Sequence, residues 1–440
     1  MQATFTITGK HPARIPVRPQ EPRVRNPAPM ARIVVAMSGG VDSSVVAALL
    51  HEQGHDVIGV TLNVWPEGSS SDGASAKACC GNSAVEDARR VAGRLGIPYY
   101  VLNFKELFRR RVIDDFVAEY RRGRTPNPCV RCNQHVKFGP VLDRADALGA
   151  ELVATGHYVR RDIDPVTGRY QLRTATDRSK DQSYVLFPMA QDDLARTIFP
   201  LGDLSKSEVR QHAERFGLQV ARKPESMGIC FVPGSRYGKF IDTVGGSERG
   251  GGPVIDVSGR VMGMHAGIER FTVGQRRGLG ISSGEALYVV AIDPERNAVV
   301  VGTRGDLLAG GLVADALNLV ALPGLDGPRR CTARIRHRMD PAPATAMPAP
   351  EVGPDAIRVI FDTPQRAVTA GQSVVLYDGD VLLGGATIVK AEPWGADFNP
   401  NSPSPDAFFA RTSRSGGASY PLLRRTCSAA PLKSSYGGAS

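Results

Sequence analysis

The chain has 440 residues, of which 42% are hydrophobic and 22% charged; that length suggests about three domains, and the composition excludes a wholly disordered or fibrous protein. No apolar run approaches the roughly 18 residues of a membrane span, and no signal-peptide pattern opens the chain, so a cytoplasmic enzyme without a membrane partner is expected. The formal net charge of +10 favours anionic partners such as nucleic acid or nucleotides without choosing among them.

Residues 1–30 are rich in proline and basic residues, with Glu21 the one acid, and read as a disordered leader ending at Met30, a candidate translation start. A continuous apolar strand is predicted at 33–37, followed by a Ser38-Gly39-Gly40 turn and a helix over 41–53. A second strand at 57–62 leads into a polar Gly/Ser loop at 66–76. Then come a helix at 83–95, a strand at 99–103, helical segments to Arg122, a helix at 137–148 and a strand at 152–155. Apolar strands alternating with helices predict an α/β fold, a doubly wound parallel sheet covered on both faces.

Beyond Gly234 the texture changes to Gly-rich turns and short alternating strands at 286–292, 298–302, 334–339, 357–361 and 373–377, while the Pro/Ala/Gly stretch 341–355 reads as a loop. The expected organisation is a leader at 1–30, a nucleotide-binding domain at 31–233, a small central domain at 234–301, a C-terminal β-barrel-like domain at 302–393 and a disordered tail at 394–440.

Two segments carry chemistry. Ser38-Gly39-Gly40-Val41-Asp42-Ser43 lies between a buried strand and a helix, where glycines, amides and hydroxyls can approach a phosphate at the positive helix end. With no lysine after the glycines it is not the GxxxxGK[ST] loop, nor is it the GxGxxG dinucleotide turn. It resembles the pyrophosphate-binding loop of the N-type ATP pyrophosphatases.

The second is Thr125-Pro126-Asn127-Pro128-Cys129-Val130-Arg131-Cys132, where Arg121, Arg122, Arg124 and Arg131 are expected to favour thiolate over thiol. Seven cysteines, at 79, 80, 129, 132, 230, 331 and 427, are an odd number without a secretion signal, so a disulfide scaffold is not expected. Cys129 and Cys132 suit a nucleophile, half a zinc site or a redox dithiol, and Cys230 is the obvious third thiol.

With these segments the chain resembles the bacterial tRNA-specific 2-thiouridylases over residues 31–390. The likeness rests on six ordered blocks at 36–43, 125–138, 154–158 (ATGHY), 180–184 (KDQSY), 228–231 (GICF) and 274–280 (GQRRGLG). It implies an adenine nucleotide alpha hydrolase-like first domain. Ala36, Met37, Ser38, Gly39, Gly40, Val41, Asp42, Ser43, Leu62 and Gly156 would bind ATP, supplied with Mg2+. Cys132 would be the nucleophile and Cys230 the persulfide carrier. Asn127, Pro128 and Cys129 would meet the target base, and His157, Lys180, Asp181, Gln182, Arg336, His337 and Gln372 the tRNA. Many members carry aspartate where this chain has Cys129.

The implied substrates are tRNAs for lysine, glutamate and glutamine with a wobble uridine at position 34, and sulfur from a cysteine desulfurase or a relay protein. Adenylation of the C2 oxygen would let AMP leave and a persulfide enter, ending in a Cys132–Cys230 disulfide. A 4Fe–4S cluster held by Cys129, Cys132 and Cys230 is the alternative sulfur chemistry. A lysidine synthetase-type enzyme, or an RNA-binding module with structural zinc, are the alternative functions.

Overall fold

The computed structural model describes residues 31–64, 82–225, 228–232, 237–245 and 250–394. The leader, the Gly/Ser loop with Cys79 and Cys80, and the tail with Cys427 lie outside them.

The first part alternates β1 (Arg32–Ala36), α1 (Val41–Glu52), β2 (Asp56–Asn63), α2 (Asn82–Leu95) and β3 (Tyr99–Asn103). Helix α3 (Lys105–Phe108) runs through a π-helical turn, Arg109–Ile113, into α4 (Asp114–Arg121). The short α5 (Pro128–Cys132) continues as a second π-helical turn, Asn133–Lys137, before α6 (Gly139–Ala147) and β4 (Leu152–Thr155). The helix expected from residue 137 is thus preceded by one that begins at the CxxC. After the hairpin β5 (Val159–Ile163) and β6 (Tyr170–Thr174) come α7 (Gln191–Ala195), the two-residue β7 (Thr197–Ile198), α8 (Lys206–Arg215) and α9 (Tyr237–Gly245).

Strands β3-β2-β1-β4-β7 form one sheet in which every pairing is parallel. Alternation along β1 explains the two layers. Ile33 and Val35 join a core with the apolar residues of α1, α2 and α8, while Val34 faces a second core of Phe108, Phe116, Val136, Val141 and Phe231. A strand buried on both faces has no polar side, hence the unbroken apolar run.

The central part is a four-stranded sheet of β8 (Gly252–Asp256), β9 (Val261–His265), β10 (Tyr288–Asp293) and β11 (Ala298–Gly302). Its core contains Val254, Ile268, Phe271, Leu279, Val289, Val299 and Val301.

The last part contains β12 (Leu308–Leu319), β13 (Arg329–Arg334), β14 (Ala342–Pro348), β15 (Ile357–Arg366), β16 (Ser373–Asp378) and β17 (Val381–Pro393). Their order is β12-β15-β14-β13-β16-β17, and β12 also pairs with β17, so these six strands close a barrel. Two expectations are corrected here. The strand expected at 334–339 lies earlier, at Arg329–Arg334, and the stretch expected to loop at 341–355 supplies β14. Ala344 and Ala346 point inward at every second position of β14, and their small side chains fit the barrel interior.

Hairpin β5–β6 extends the barrel sheet by pairing Leu172 with Leu382 and Arg173 with Val381. The first part of the chain is therefore stitched into the last. Asp380 binds Arg160 at 2.6 Å and Arg173 at 2.9 Å, and the Asn318 amide donates to the carbonyls of Phe187 and Met189. Among the described residues no helix is long and apolar enough to cross a membrane.

The most enclosed ion pair of this junction joins Asp181 to Arg334 at 2.9 Å, with side chains only 2% and 11% exposed. Removing one partner strands the other charge in a low-dielectric site. Asp181→Ala is expected to lower unfolding stability by about 3–5 kcal/mol, read as a fall in the urea midpoint; an unchanged midpoint would show that the pair does not hold the junction.

Candidate active site

The phosphate-binding candidate occupies the carboxyl edge of the sheet between β1 and β4, where chain order reverses and ligands of doubly wound sheets bind. Gly39 takes a left-handed φ of +67°, and a Cβ there would lie 2.1 Å from the carbonyl oxygen of Ala84. The Ser38 amide donates to Ser43 Oγ at 3.0 Å, and the two hydroxyls approach to 3.3 Å. Gly40 is the N-cap of α1 and has no side chain to cap the first amides, which leaves donors and dipole for an anion. Ala36 ends β1, Met37 is buried, and Leu62 lies buried near the end of the neighbouring β2. Gly156, just beyond β4, packs against α1, and a Cβ there would sit 2.9 Å from Ser43 N.

Around this loop is a charge network. Asp42 accepts from the Tyr158 hydroxyl at 2.7 Å and from Lys206 Nζ at 2.7 and 2.8 Å. Lys206 also pairs with Glu225 at 2.9 Å, and Lys180 pairs with Glu225 at 2.8 Å. Hydrogen bonds from Lys180 and Lys206 hold the Glu225 carboxyl down at about 2. Burial and the adjacent Asp42 push the Tyr158 phenol up, so it remains a donor. Lys223 binds the Gly39 carbonyl at 3.0 Å and Asp87 at 2.6 Å. Sequence reasoning missed Lys206, Lys223 and Glu225. Ser205 and Glu208 announce a capping box at the start of α8, but nothing local aims Lys206 at a carboxylate 164 positions away.

The CxxC is built as a helix start. Asn127 caps it, its Oδ1 accepting from Cys129 N at 3.2 Å and Val130 N at 3.4 Å, with Pro128 in the first turn. Val130 anchors the helix in a core shared with Tyr184, Phe187, Val375 and Tyr377 of the junction. The preceding loop is clamped to the barrel: Thr125 N donates to Ala370 O at 2.8 Å and Gln372 Nε2 donates to Thr125 O at 2.8 Å. Cys129 is exposed, whereas Cys132 and Cys230 are partly buried. Both pack on the core that contains Phe116 and Phe231. The fold therefore seats on one core two thiols that are 98 positions apart in sequence.

The arginines of this region are engaged by neighbouring groups. Arg122 and Arg124 pair with Glu119 at 3.0 and 2.8 Å, and Arg131 forks onto Asp115 at 3.2 Å. Arg121 donates to the Gly245 carbonyl. Carboxylates on α4 thus pair with Arg122, Arg124 and Arg131.

Three matches with family descriptions follow this layout: a tRNA methyl transferase HUP domain over residues 31–234, a tRNA methyl transferase PRC-barrel domain over 238–303 and an aminomethyltransferase beta-barrel domain over 310–388. A tRNA-specific 2-thiouridylase of Pelotomaculum thermopropionicum is 50% identical over 81% of this chain and 97% of its own length. One of Symbiobacterium thermophilum is 51% identical over 82% of this chain and 92% of its own. The chain belongs to the tRNA-specific 2-thiouridylase family. A solved complex of a 4-thiouridine synthetase with RNA and ATP overlays only loosely, at 21% identity, a TM-score of 0.28, and 46% and 45% coverage of the two chains.

Of the residues expected at RNA, several face inward. His157 is buried between Phe138 and Phe199 and bonds Thr155 Oγ1 at 2.9 Å, and burial pushes its pKa well below the usual value, so it is neutral. Asp181 serves the Arg334 pair, and Gln182 accepts from Tyr158 N at 2.9 Å. Arg336 spans the central and C-terminal parts through the carbonyls of Val273, at 3.3 Å, and Ala367, at 2.9 Å. His337 is exposed beside Tyr184, and Arg276 and Arg277 are also exposed. Arg109 and Arg110 bind Glu106. Burial pushes the Cys331 thiol up to about 11, as for an inert core cysteine.

Among the described residues no three His, Cys, Asp or Glu side chains are grouped to hold a metal ion. Cys129, Cys132 and Cys230 thus do not form the cluster site that three thiols suggested.

Gly156→Ala places a methyl on the phosphate-side amide of α1. ATP affinity is expected to fall about tenfold or more, the equivalent of ~1.4 kcal/mol of overpacking, in a calorimetric titration; an unchanged Kd would remove Gly156 from the nucleotide site.

Proposed function

We propose that this chain is a tRNA-uridine 2-sulfurtransferase that uses MgATP to replace the C2 oxygen of the wobble uridine by sulfur. The observation that carries the reading is that Cys132, at the end of a capped CxxC helix, and Cys230 pack on one core, in a chain that also has an uncapped glycine-rich helix start suited to an anion and is about half identical to 2-thiouridylases.

Each part answers a chemical need. The C2 oxygen is a poor leaving group, and its attack on the α-phosphorus of ATP expels pyrophosphate and makes it one that leaves as AMP. Ser38 to Ser43 suit the departing pyrophosphate, since amides and a helix dipole stabilise charge without reorganising. Magnesium enters with ATP as part of the substrate; the Asp42 carboxylate is engaged by Lys206 and Tyr158.

Sulfur arrives as a persulfide on Cys230. Its terminal sulfur attacks C2 and AMP departs, giving a mixed disulfide between uridine sulfur and Cys230. The Cys132 thiolate then attacks Cys230 Sγ, the thiouridine leaves with the electron pair, and a Cys132–Cys230 disulfide remains for a dithiol reductant. Alternatively Cys132 attacks the persulfide first and frees hydrosulfide, which attacks C2; the same disulfide results. The base must leave its stack to reach such a site, as in other enzymes that modify bases.

A cysteine desulfurase or relay protein would load Cys230, and tRNAs for lysine, glutamate and glutamine are the substrates the family resemblance implies. An amidating enzyme such as a lysidine synthetase has no use for paired thiols at the site, and an RNA module with structural zinc would need a ligand group that the described residues lack.

In a reconstitution with tRNA, MgATP, a cysteine desulfurase and dithiothreitol, 2-thiouridine is expected in the digested tRNA by mass spectrometry. Cys132→Ala and Cys230→Ala are each expected to abolish it while tRNA binding stays within about twofold, a change of roughly 0.4 kcal/mol. Sulfur transfer retained by either variant would overturn the assigned roles.

A further inference from the structure

We infer that Glu225 is a positioning residue for sulfur transfer, tying the segment that bears Cys230 to the occupancy of the nucleotide loop. The inference rests on the function proposed above and deepens it.

Three observations meet at this side chain. Glu225 accepts from Lys180 at 3.1 and 2.8 Å and pairs with Lys206 at 2.9 Å. Lys206 is only 12% exposed and holds both oxygens of Asp42, the second residue of α1 at the phosphate loop. Two ammonium groups are thus shared between two carboxylates, one belonging to the nucleotide loop and the other five positions before Cys230. On the far side of Cys230, Phe231 is fixed among Phe108, Phe116 and Phe240 at ring distances of 5.7, 5.3 and 5.3 Å. Along the chain the thiol is therefore flanked by an aromatic anchor at Phe231 and an ionic anchor at Glu225.

A triphosphate arriving at the N-terminus of α1 brings several negative charges beside Asp42 and competes with it for the ammonium it holds. That ammonium is on Lys206, whose other carboxylate is Glu225. Charge-assisted hydrogen bonds are strong in such a half-buried site, so any change in how Lys206 divides itself is felt at Glu225. The consequence is a link between adenylation and the presentation of Cys230: the sulfur carrier is aligned when nucleotide occupies the loop. Carboxylate charge is essential to this role, and the low Glu225 pKa keeps that charge at any physiological pH.

The test compares wild type with Glu225→Gln, which keeps shape and removes charge, and with Glu225→Asp, which restores it. Two readouts are taken: 2-thiouridine formed per pyrophosphate released, and the alkylation rate of Cys230 by iodoacetamide, followed on its peptide with and without a non-hydrolysable ATP analogue. A misalignment near 1 Å costs up to about 10²-fold in rate, so the product ratio is expected to fall by about tenfold or more in Glu225→Gln and to recover in part in Glu225→Asp. Alkylation of Cys230 should respond to the analogue in wild type and not in Glu225→Gln. A wild-type ratio and a wild-type nucleotide response in Glu225→Gln would overturn the inference. So would a loss of pyrophosphate release and thiolation in equal measure, the mark of a merely structural residue. Should Glu225→Gln fail to fold, a nucleotide response in Glu225→Asp equal to wild type supports the inference and its absence overturns it. If wild type itself makes no 2-thiouridine, the functional reading fails first and takes the inference with it.

Discussion

A carboxylate placed beside an anion-binding helix end is the constraint around which this site is organised. Asp42 would repel a polyphosphate if it stood alone. Lys206 and the Tyr158 hydroxyl engage it instead, and those partners come from helix α8 and from the segment after β4. Neutralising one side chain therefore fixes where three separate stretches of chain must meet. Gly156 completes the arrangement by letting the backbone after β4 touch the start of α1.

The thiol-bearing helix α5 is positioned by different physics. Helix α5 is too short to be stable by its own propensity. Asn127 satisfies its first amides, Pro128 pre-sets its first turn, Val130 buries in the junction core, and Gln372 of the barrel holds the loop before it. The barrel thus helps to hold the loop that leads into the CxxC helix. Asp115 and Glu119 take up the neighbouring arginines.

The parts of the fold that follow from local pattern were legible. Apolar continuity in 33–37, 57–62 and 152–155 announced buried parallel strands, and the Ser-Gly-Gly turn announced the start of α1. The failures also have local causes. Residues 341–355 hold prolines and small residues that suit a loop, yet alternate alanines at 344 and 346 meet the barrel interior. Hairpin β5–β6 reads as part of the first domain because it follows β4 at once, but its pairing partner is β17, more than two hundred positions away. Of the positions expected at RNA, Asp181 is buried against Arg334, while Gln182 and Arg336 are partly buried and make hydrogen bonds within the fold.

By itself the sequence determined the fold class and the strand, glycine turn and helix start that form the candidate nucleotide loop, because these depend on residues adjacent in the chain; the reaction followed only from the family resemblance, since two cysteines one helical turn apart suit a nucleophile, half a zinc site or a redox dithiol. Only the tertiary structure decided which distant groups complete the site. Lys206 on Asp42, Glu225 between two lysines, and Cys230 on the core that seats Cys132 all depend on contacts across long loops. Such contacts are fixed by how layers pack, and the spacing of residues along a chain does not encode where two packed layers bring side chains together.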